Sequence, residues 1–339
     1  MISSSKLSPG VSIVICSFNG GHKLIPTLEH IAAQEPIEKG QLELLYVDNG
    51  STDQSLEIVR ETWSNLKPAH IQLTIIEEST PGKYFALDAA LAKAKFNCFI
   101  ICDDDNWLNK DYAKRVFSTL SEHPTIGAIG GKSIATFQTE NPTVPTWFLQ
   151  DRQRYAIGGQ GEKTGDVTYR KQLWGAGMGS RTLLYQSFYS KYPSAFLLQS
   201  DNEKGHFVAE DTEYCLRLIL RGYKLHYDET LLLQHYVPTD RLSAEYNNKL
   251  NRQIEGAFII IEKLNLATKL FGSLSYSAFG ILRLKLLTPL RKLISSNKIR
   301  HQILSNLLFP SKTNQDIVIE QIRSFAKDPA LPFATKNAD

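Results

Sequence analysis

Three consecutive aspartates close an apolar run, Phe99-Ile100-Ile101-Cys102-Asp103-Asp104-Asp105-Asn106. Carboxylates held this close repel one another. A hard divalent cation relieves that repulsion, because Mg²⁺ and Mn²⁺ prefer oxygen ligands together with substrate phosphates. Side chains alternate along a strand, so the useful pair in such a run is Asp-x-Asp, Asp103 with Asp105. An isolated acidic triplet is more often a turn or a helix cap, and only its neighbours decide between the two. A second acidic pair, Glu210-Asp211, opens a helical segment over 210–218 that ends at Arg221-Gly222. A carboxylate there can take a proton from a hydroxyl nucleophile. The same two acids also suit a helix amino end, where each is favoured by about 0.3–1 kcal/mol.

The elements that must position these acids are legible as alternating apolar runs. Residues 11–16, 42–47, 72–76 and 98–102 read as strands. Between them lie helical patterns: Leu24, Ile25, Leu28, Ile31 and Ala32 at helical spacing, then 54–63 behind a Ser/Thr/Asp cluster that can cap it, then the Ala-rich 84–95. Four strands alternating with three helices predict a mostly parallel sheet with crossover helices. Ligands of such sheets sit outside the carboxyl ends of the strands. The loops at 17–21, 48–53 and 103–106 all follow strand ends, so they should converge on one crevice suited to a nucleotide.

Beyond Pro124 the pattern loosens. Residues 126–131 read as a strand, and 136–170 as a long polar loop rich in Gly, Pro and aromatics. The segment Leu173-Trp174-Gly175-Ala176-Gly177-Met178 is small and apolar, as expected where backbone approaches a ligand. Residues 224–228 and 231–235 read as two strands. From Asp240 to about Phe325 the chain reads as helical, with breaks near Gly272, Pro289 and Pro310.

Taken together, the 11–19 segment, Val47-Asp48-Asn49-Gly50-Ser51-Thr52-Asp53, Pro81-Gly82-Lys83 followed by Ala86, and Cys102-Asp103-Asp104-Asp105-Asn106-Trp107 resemble the family-2 glycosyltransferases of the GT-A fold. Gly175-Ala176-Gly177-Met178, Glu210-Asp211 with Arg217-Leu218 and Gly222-Tyr223-Lys224, and His235 extend the resemblance. It covers 8–238, about two thirds of the chain. It implies an α/β, Rossmann-like GT-A domain at 1–240 with a mostly parallel central sheet and flanking helices, followed by a basic, mainly helical appendage at 241–339.

The resemblance also implies a nucleotide-sugar donor, usually UDP-linked, and direct displacement with inversion at the anomeric carbon. Asp103 and Asp105 would hold Mn²⁺ or Mg²⁺ bridging the two phosphates, and His235 matches the family's distant metal-ligating histidine. A lone histidine is otherwise more often structural. Asp211 occupies the position of the base, and Glu210 would orient the acceptor or support Asp211, raising the pKa of the base by its proximity. Asp48 matches the acid that contacts uracil or ribose. Lys83 falls where a basic residue often meets the base or diphosphate, although a solvated surface lysine is its plain alternative. Ser17 and Asn19 would line the nucleoside pocket, with Asp103 and Asp104 also facing the donor. Trp174 could stack on a sugar or sit in the core. Asn106 departs from the family, where another Asp often stands, which leaves Asp103 and Asp105 as the expected ligands.

Composition narrows the remaining classes. The 339 residues are 42% hydrophobic and 22% charged, ordinary for a chain with a sizeable core. The cysteines Cys16, Cys98, Cys102 and Cys215 form no CxxC pair, which argues against a zinc or redox motif and fits a reducing cytoplasm. Residues 1–9 lack the basic and apolar regions of a secretory signal, and no apolar run approaches the roughly 20 residues needed to span a bilayer.

The net charge of +3 hides an asymmetry. Residues 263–315 contain no Asp or Glu but nine of the 38 Lys and Arg, leaving 29 bases against 35 acids elsewhere, a balance of −6. This contrast suggests an anionic partner or an intramolecular one. Residues 279–287 and 290–294 interleave bulky apolar side chains with Arg and Lys. Such a stretch can lie in a membrane interface on the inner leaflet, or pack on the acidic remainder. Nucleic acid is disfavoured, because aromatics are not interleaved as stacking platforms.

The resulting expectation is a metal-dependent inverting glycosyltransferase extending a surface polysaccharide or other glycan, lipid-linked or glycoconjugate acceptor. It would be cytoplasmic, with possible peripheral membrane contact through 263–315. Two alternatives remain at this point. A sugar nucleotidyltransferase should carry a Gly-rich, basic loop after the first strand, but residues 17–21 hold glycines without a base. A non-catalytic nucleotide-sugar binding module should lack the Asp-x-Asp or the base, and both are present.

Overall fold

The computed structural model describes residues 7–38, 40–140, 142–198, 209–272, 281, 298–309 and 316–334. Four parallel strands form one half of its sheet: β1 (Ser8–Ser17), β2 (Gln41–Asp48), β3 (Ile71–Glu77) and β4 (Phe96–Cys102), in the order β3-β2-β1-β4. Both faces of this half are covered, so β1 and β2 are apolar almost throughout, as buried parallel strands must be. The period of two sorts their side chains. Val14, Leu45, Val47, Phe99 and Ile101 face one layer, while Ile13, Ile15, Leu44, Tyr46 and Ile100 face the other.

The crossovers are α1 (Leu24–Ala32), α2 (Ser55–Leu66) and α3 (Lys83–Lys93). Pro26 sits in the first turn of α1, where its missing N–H costs no hydrogen bond. Ahead of α2 the acidic cluster does not cap in the expected way. Gln54 takes the cap position without a side-chain bond, and Asp53 instead accepts from the Ser55 N–H at 3.0 Å.

The second half of the sheet departs further from the sequence reading. The expected strand at 126–131 continues as β6 (Ile126–Phe137), after α4 (Tyr112–Glu122), and takes in the start of the expected loop. The two strands expected at 224–228 and 231–235 are one, β9 (Lys224–Val237), paired in parallel with β6 along its length. Between Gly130 and Lys132 of β6 the partner residue moves from Tyr227 to Leu232, so β9 bulges out of the ladder where the sequence suggested a break. A short β8 (Gly179–Arg181) inserts antiparallel between β4 and β6, while β5 (Asn106–Leu108) and β7 (Gly165–Asp166) pair antiparallel with β9. The expected loop at 136–170 also holds α5 (Thr146–Gln150) and a 3-10 turn, Arg152–Tyr155.

After α6 (Thr182–Lys191) and α7 (Glu210–Leu220), a 3-10 turn at Thr239–Leu242 leads into α8 (Ala244–Phe271). Ser243 caps α8 by accepting from the Tyr246 N–H, and Gly272 follows its end. The helices α9 (Lys298–Leu308) and α10 (Ile317–Lys327) complete the described chain. Ile260, Leu264, Leu307, Ile322 and Phe325 share one buried cluster with Val14 and Phe99 of the sheet, so these helices enlarge the main core. Lys263 and Arg300, two of the basic residues in 263–315, pair with Asp316 at 2.7 Å and Glu262 at 3.3 Å. Of the amphipathic stretches at 279–287 and 290–294, all but Ile281 lies outside the described residues. No helix of the described residues is long and apolar enough to cross a membrane.

Candidate active site at the carboxyl ends of the strands

The first three loops converge as the strand order requires. Ser17 ends β1 opposite Asp48 of β2, and Ile15 lies opposite Cys102 of β4. Hydrogen bonds then tie the loops together. The Ser17 hydroxyl donates to Asp104 Oδ2 at 3.0 Å. Asn19, held in the left-handed region at φ 53°, accepts from the Thr52 N–H at 2.8 Å and donates its own N–H to Ser51 Oγ at 3.0 Å. Asp48 accepts from the Ser51 N–H through Oδ2, while its Oδ1 is buried without a partner.

Asn49 adds a link that sequence reasoning passed over. Its amide donates to the Glu78 and Thr80 carbonyls and accepts from the Gly82 N–H at 2.8 Å. Gly82, at φ 126°, adopts a conformation that side chains rarely take, and this turns the chain so that Lys83 begins α3 at the crevice.

The acidic triplet lies in the turn between β4 and β5, so strand alternation does not set its directions. Each carboxylate instead meets its own organic cation from a different element. Lys83 reaches Asp103 Oδ1 at 2.5 Å, Lys23 reaches Asp104 Oδ1 at 3.2 Å, and Arg241 reaches Asp105 Oδ2 at 2.7 Å. Asn106 completes the turn: its Oδ1 accepts from the Asp103 N–H and its Nδ2 donates to Asp105 Oδ1 at 3.1 Å. An aspartate at 106 could not make that second bond. Burial pushes Asp103 upward, but the charge and hydrogen bond of Lys83, with the charges of His235 and Arg241, together hold the carboxyl below its usual range. Burial and the neighbouring Asp105 raise Asp104, against the pull of Lys23.

Pairing of β5 with β9 sets Asn106 opposite His235 and brings the His235 Nε2 to 3.5 Å from Asp105 Oδ1. Two carboxylates and an imidazole are ligand types that Mg²⁺ or Mn²⁺ takes. As the side chains stand, no three His, Cys, Asp or Glu among the described residues converge to hold a metal ion. Arg241 stands among these groups, its guanidinium 3.1 Å from His235 Nε2. Asp103, Asp105 and His235 nonetheless offer the oxygen and imidazole donors that a divalent cation takes.

A cavity of about 630 Å³ opens beside this turn, with Lys83, Asp103, Trp174, Gly175, Glu210, Asp211 and His235 on its wall. A larger cavity, about 820 Å³, lies far from it at the amino ends of β1 to β3. Asp211 begins α7 and is aimed by backbone: its Oδ2 accepts from the Gly175 N–H at 2.8 Å and its Oδ1 from the Thr212 N–H at 2.6 Å. A Cβ on Gly175 would sit only 3.6 Å from Lys83 Nζ and 3.7 Å from Asp211 Oδ2, so that glycine lies between cation and carboxylate. Burial raises the Asp211 carboxyl despite its hydrogen bonds to Gly175 and the charge of Lys83. Burial, rather than the expected charge of Glu210, is therefore the leading influence. Glu210 is raised by burial too, opposed by Lys83, and its Oε2 accepts from the Ala209 N–H. Trp174 is buried and lines the cavity. Leu250, Ile254, Ala257 and Phe258 of α8 add an apolar part to the wall of the same cavity.

Residues 12–172 match the model of the family "Glycosyl transferase family 2". The poly(ribitol-phosphate) beta-N-acetylglucosaminyltransferase TarS of Staphylococcus aureus (strain MW2) is 27% identical over 112 residues, 33% of this chain and 19% of that protein. A dolichyl N-acetyl-alpha-D-glucosaminyl phosphate 3-beta-D-2,3-diacetamido-2,3-dideoxy-beta-D-glucuronosyltransferase of Methanococcus voltae is 24% identical over 232 residues, covering 67% of this chain and 66% of its own. The minor teichoic acid biosynthesis protein GgaA of Bacillus subtilis is 31% identical over 120 residues, 35% of this chain and 27% of that one. The chain spans about a fifth of the length of TarS, the first of these relatives. Among solved structures, the crystal structure of S. aureus TarS 1-349 superposes with a TM-score of 0.52 at 15% identity, covering 94% of this chain and 81% of that one. Its complex with UDP gives 0.52 at 16% identity, with coverages of 90% and 76%. At such identities the superposition speaks for the GT-A fold alone, while residues 12–172, a little under half of the chain, carry the match to the family-2 glycosyltransferases.

Proposed function

We propose that this protein moves a sugar from a nucleotide sugar, with UDP as the nucleotide, to a hydroxyl of a glycan or glycoconjugate acceptor, with inversion at the anomeric carbon. Surface-polysaccharide synthesis is the setting favoured by the similarity to a poly(ribitol-phosphate) glycosyltransferase and a teichoic acid biosynthesis protein. The observation that carries the reading is the meeting of Asp211, Lys83 and Asp103 on one cavity wall at the carboxyl ends of the parallel strands. The unpartnered Oδ1 of Asp48 supports a nucleoside pocket, because a buried acceptor with no donor calls for one from the ligand. UDP bound to the structurally similar TarS supports the choice of nucleotide.

In this reading the acceptor oxygen attacks the anomeric carbon as its proton passes to Asp211, and the bond to the diphosphate oxygen breaks on the opposite face. Asp211 suits the role, since it is held in place by two backbone N–H groups and its raised pKa brings it nearer to a useful basicity. Lys83, kept charged by Asp103 and Glu210 against the effect of burial, supplies positive charge close to the leaving group. A divalent cation held by Asp103, Asp105 and His235 would neutralise charge developing on the leaving diphosphate. Glu210 would orient the acceptor. The apolar wall of α8 suits an acceptor with an apolar part, such as a lipid-linked glycan.

UDP release, followed over a panel of UDP-sugars with and without Mn²⁺, tests the reading in wild type and Asp211→Asn. One donor should turn over, and the variant should lose about 10²–10⁴-fold in rate while still binding UDP. Failure to bind UDP, or a variant as fast as wild type, would refute it.

A further inference from the structure

Arg241 lies in the Thr239–Leu242 turn, at the junction between the catalytic sheet and α8. Its guanidinium is the third of the cations that balance the aspartate triplet one for one, and it differs from the other two. Lys23 and Lys83 each meet a single carboxylate, whereas Arg241 bridges two groups, donating to Asp105 Oδ2 at 2.7 Å and to His235 Nε2 at 3.1 Å. A guanidinium has no acceptor, so the second contact requires the lone pair of Nε2 to face Arg241. That lone pair is the one a metal would need. Asp105 and His235 are nearly sealed from solvent, with side-chain exposures of 2% and 7%, while Arg241 keeps 25%. The cation in the seat is thus the most exposed of the three groups, and its long side chain springs from a short turn rather than from a strand.

We propose that Arg241 is a resident cation that competes with a divalent metal ion for the seat formed by Asp105 and His235. This rests on the metal-binding part of the function proposed above. Two consequences follow from charge. A divalent ion entering beside an undisplaced guanidinium would add two positive charges to a triplet already neutralised, so metal binding and the Asp105–Arg241 bond exclude each other. Metal alone therefore binds weakly, and it binds better once a bound nucleoside diphosphate brings negative charge for both cations. Arg241 also sits on the lead-in to α8, so its release would bear on the helix that forms the apolar wall of the cavity.

The test is binding of Mn²⁺ alone, read by the loss of the free-ion electron paramagnetic resonance signal, to full-length wild type, Arg241→Gln, Arg241→Lys and Asp105→Asn. Thermal melting of each protein reports folding. Competition predicts at least a tenfold tighter Mn²⁺ affinity in Arg241→Gln. Arg241→Lys should fall between, because an ammonium can reach only one of the two partners at a time. Asp105→Asn should lose binding. If Arg241→Gln binds Mn²⁺ no more tightly than wild type while Asp105→Asn loses it, the seat is real but Arg241 does not compete, and the inference alone is overturned. If no protein binds Mn²⁺ even with UDP present, both the inference and the metal-dependent part of the proposed function are overturned, whereas UDP binding itself would leave the nucleotide reading intact.

Discussion

Glu213 and Arg217 form a fully buried ion pair on the helix that presents Asp211, and removing one partner should be severe. The Glu213 carboxylate accepts from Arg217 at 2.7 and 2.9 Å, from Ser194 Oγ at 2.5 Å and from the Ala195 N–H at 2.9 Å. Arg217 in turn donates to the Tyr192 and Pro193 carbonyls at 2.7 Å and lies over the rings of Tyr189 and Phe325. The pair thus joins α7 to the 192–195 segment and to α10. In Glu213→Leu the guanidinium is stranded at 2% exposure, a situation that costs about 3–5 kcal/mol. At roughly 2 °C per kcal/mol for a chain of this length, the thermal midpoint should fall by about 6–10 °C.

Arg217→Met should cost a similar amount, since it strands the carboxylate. The double variant leaves carbonyls and one N–H unpaired but no bare charge, so it should cost at least about 2 kcal/mol less than the two singles combined. Urea unfolding of the four proteins measures this coupling directly. A Glu213→Leu cost under about 1 kcal/mol, or singles that add within about 0.5 kcal/mol, would refute the reasoning and show that the pair is solvated or that α7 relaxes around it.

The remaining predictions concern the crevice. In Gly20→Ala the new Cβ would stand 2.4 Å from Ser17 Oγ and 2.8 Å from Asp104 Oδ2, so the Ser17–Asp104 contact must open. UDP affinity should drop by roughly tenfold, about 1.4 kcal/mol, with near-normal melting, as isothermal titration and a thermal scan would show, and unchanged affinity would argue that the first loop stays out of the nucleotide site. For Asp211, burial lifts the carboxyl above the ordinary aspartate range and the base works only when ionised, so kcat should be lost on the acid side at a pH above that range. A rate profile that stays flat on lowering the pH to 4 would speak against Asp211 as the base.

Much of the fold was readable from the chain itself. The four apolar runs at 11–16, 42–47, 72–76 and 98–102 became β1 to β4, each lengthened by two to four residues, because a strand buried on both faces is marked by continuous β-branched and aliphatic residues. The parallel order of that half followed from the helices between them, and its carboxyl ends are where Ser17, Asp48 and the aspartates meet. The gap expected at 229–230 falls inside a bulge of β9, whose residues 228–231 leave the ladder with β6 while the strand itself continues, so the two expected strands are one.

Within the site, the acids were legible, and of their three cations only Lys83 was. A run of aspartates and an acidic helix start are local signals, carried by neighbouring residues. The groups that answer them come from far away in sequence: Lys23 is 81 residues from Asp104, and Arg241 is 136 from Asp105. Coulomb attraction depends on distance in space, and no period or spacing encodes which lysine or arginine the folded chain will deliver. Sequence alone was enough to place the negative charges at the ends of the strands. Only the tertiary structure decided that each would meet its own cation, and that the one facing Asp105 would also cover His235.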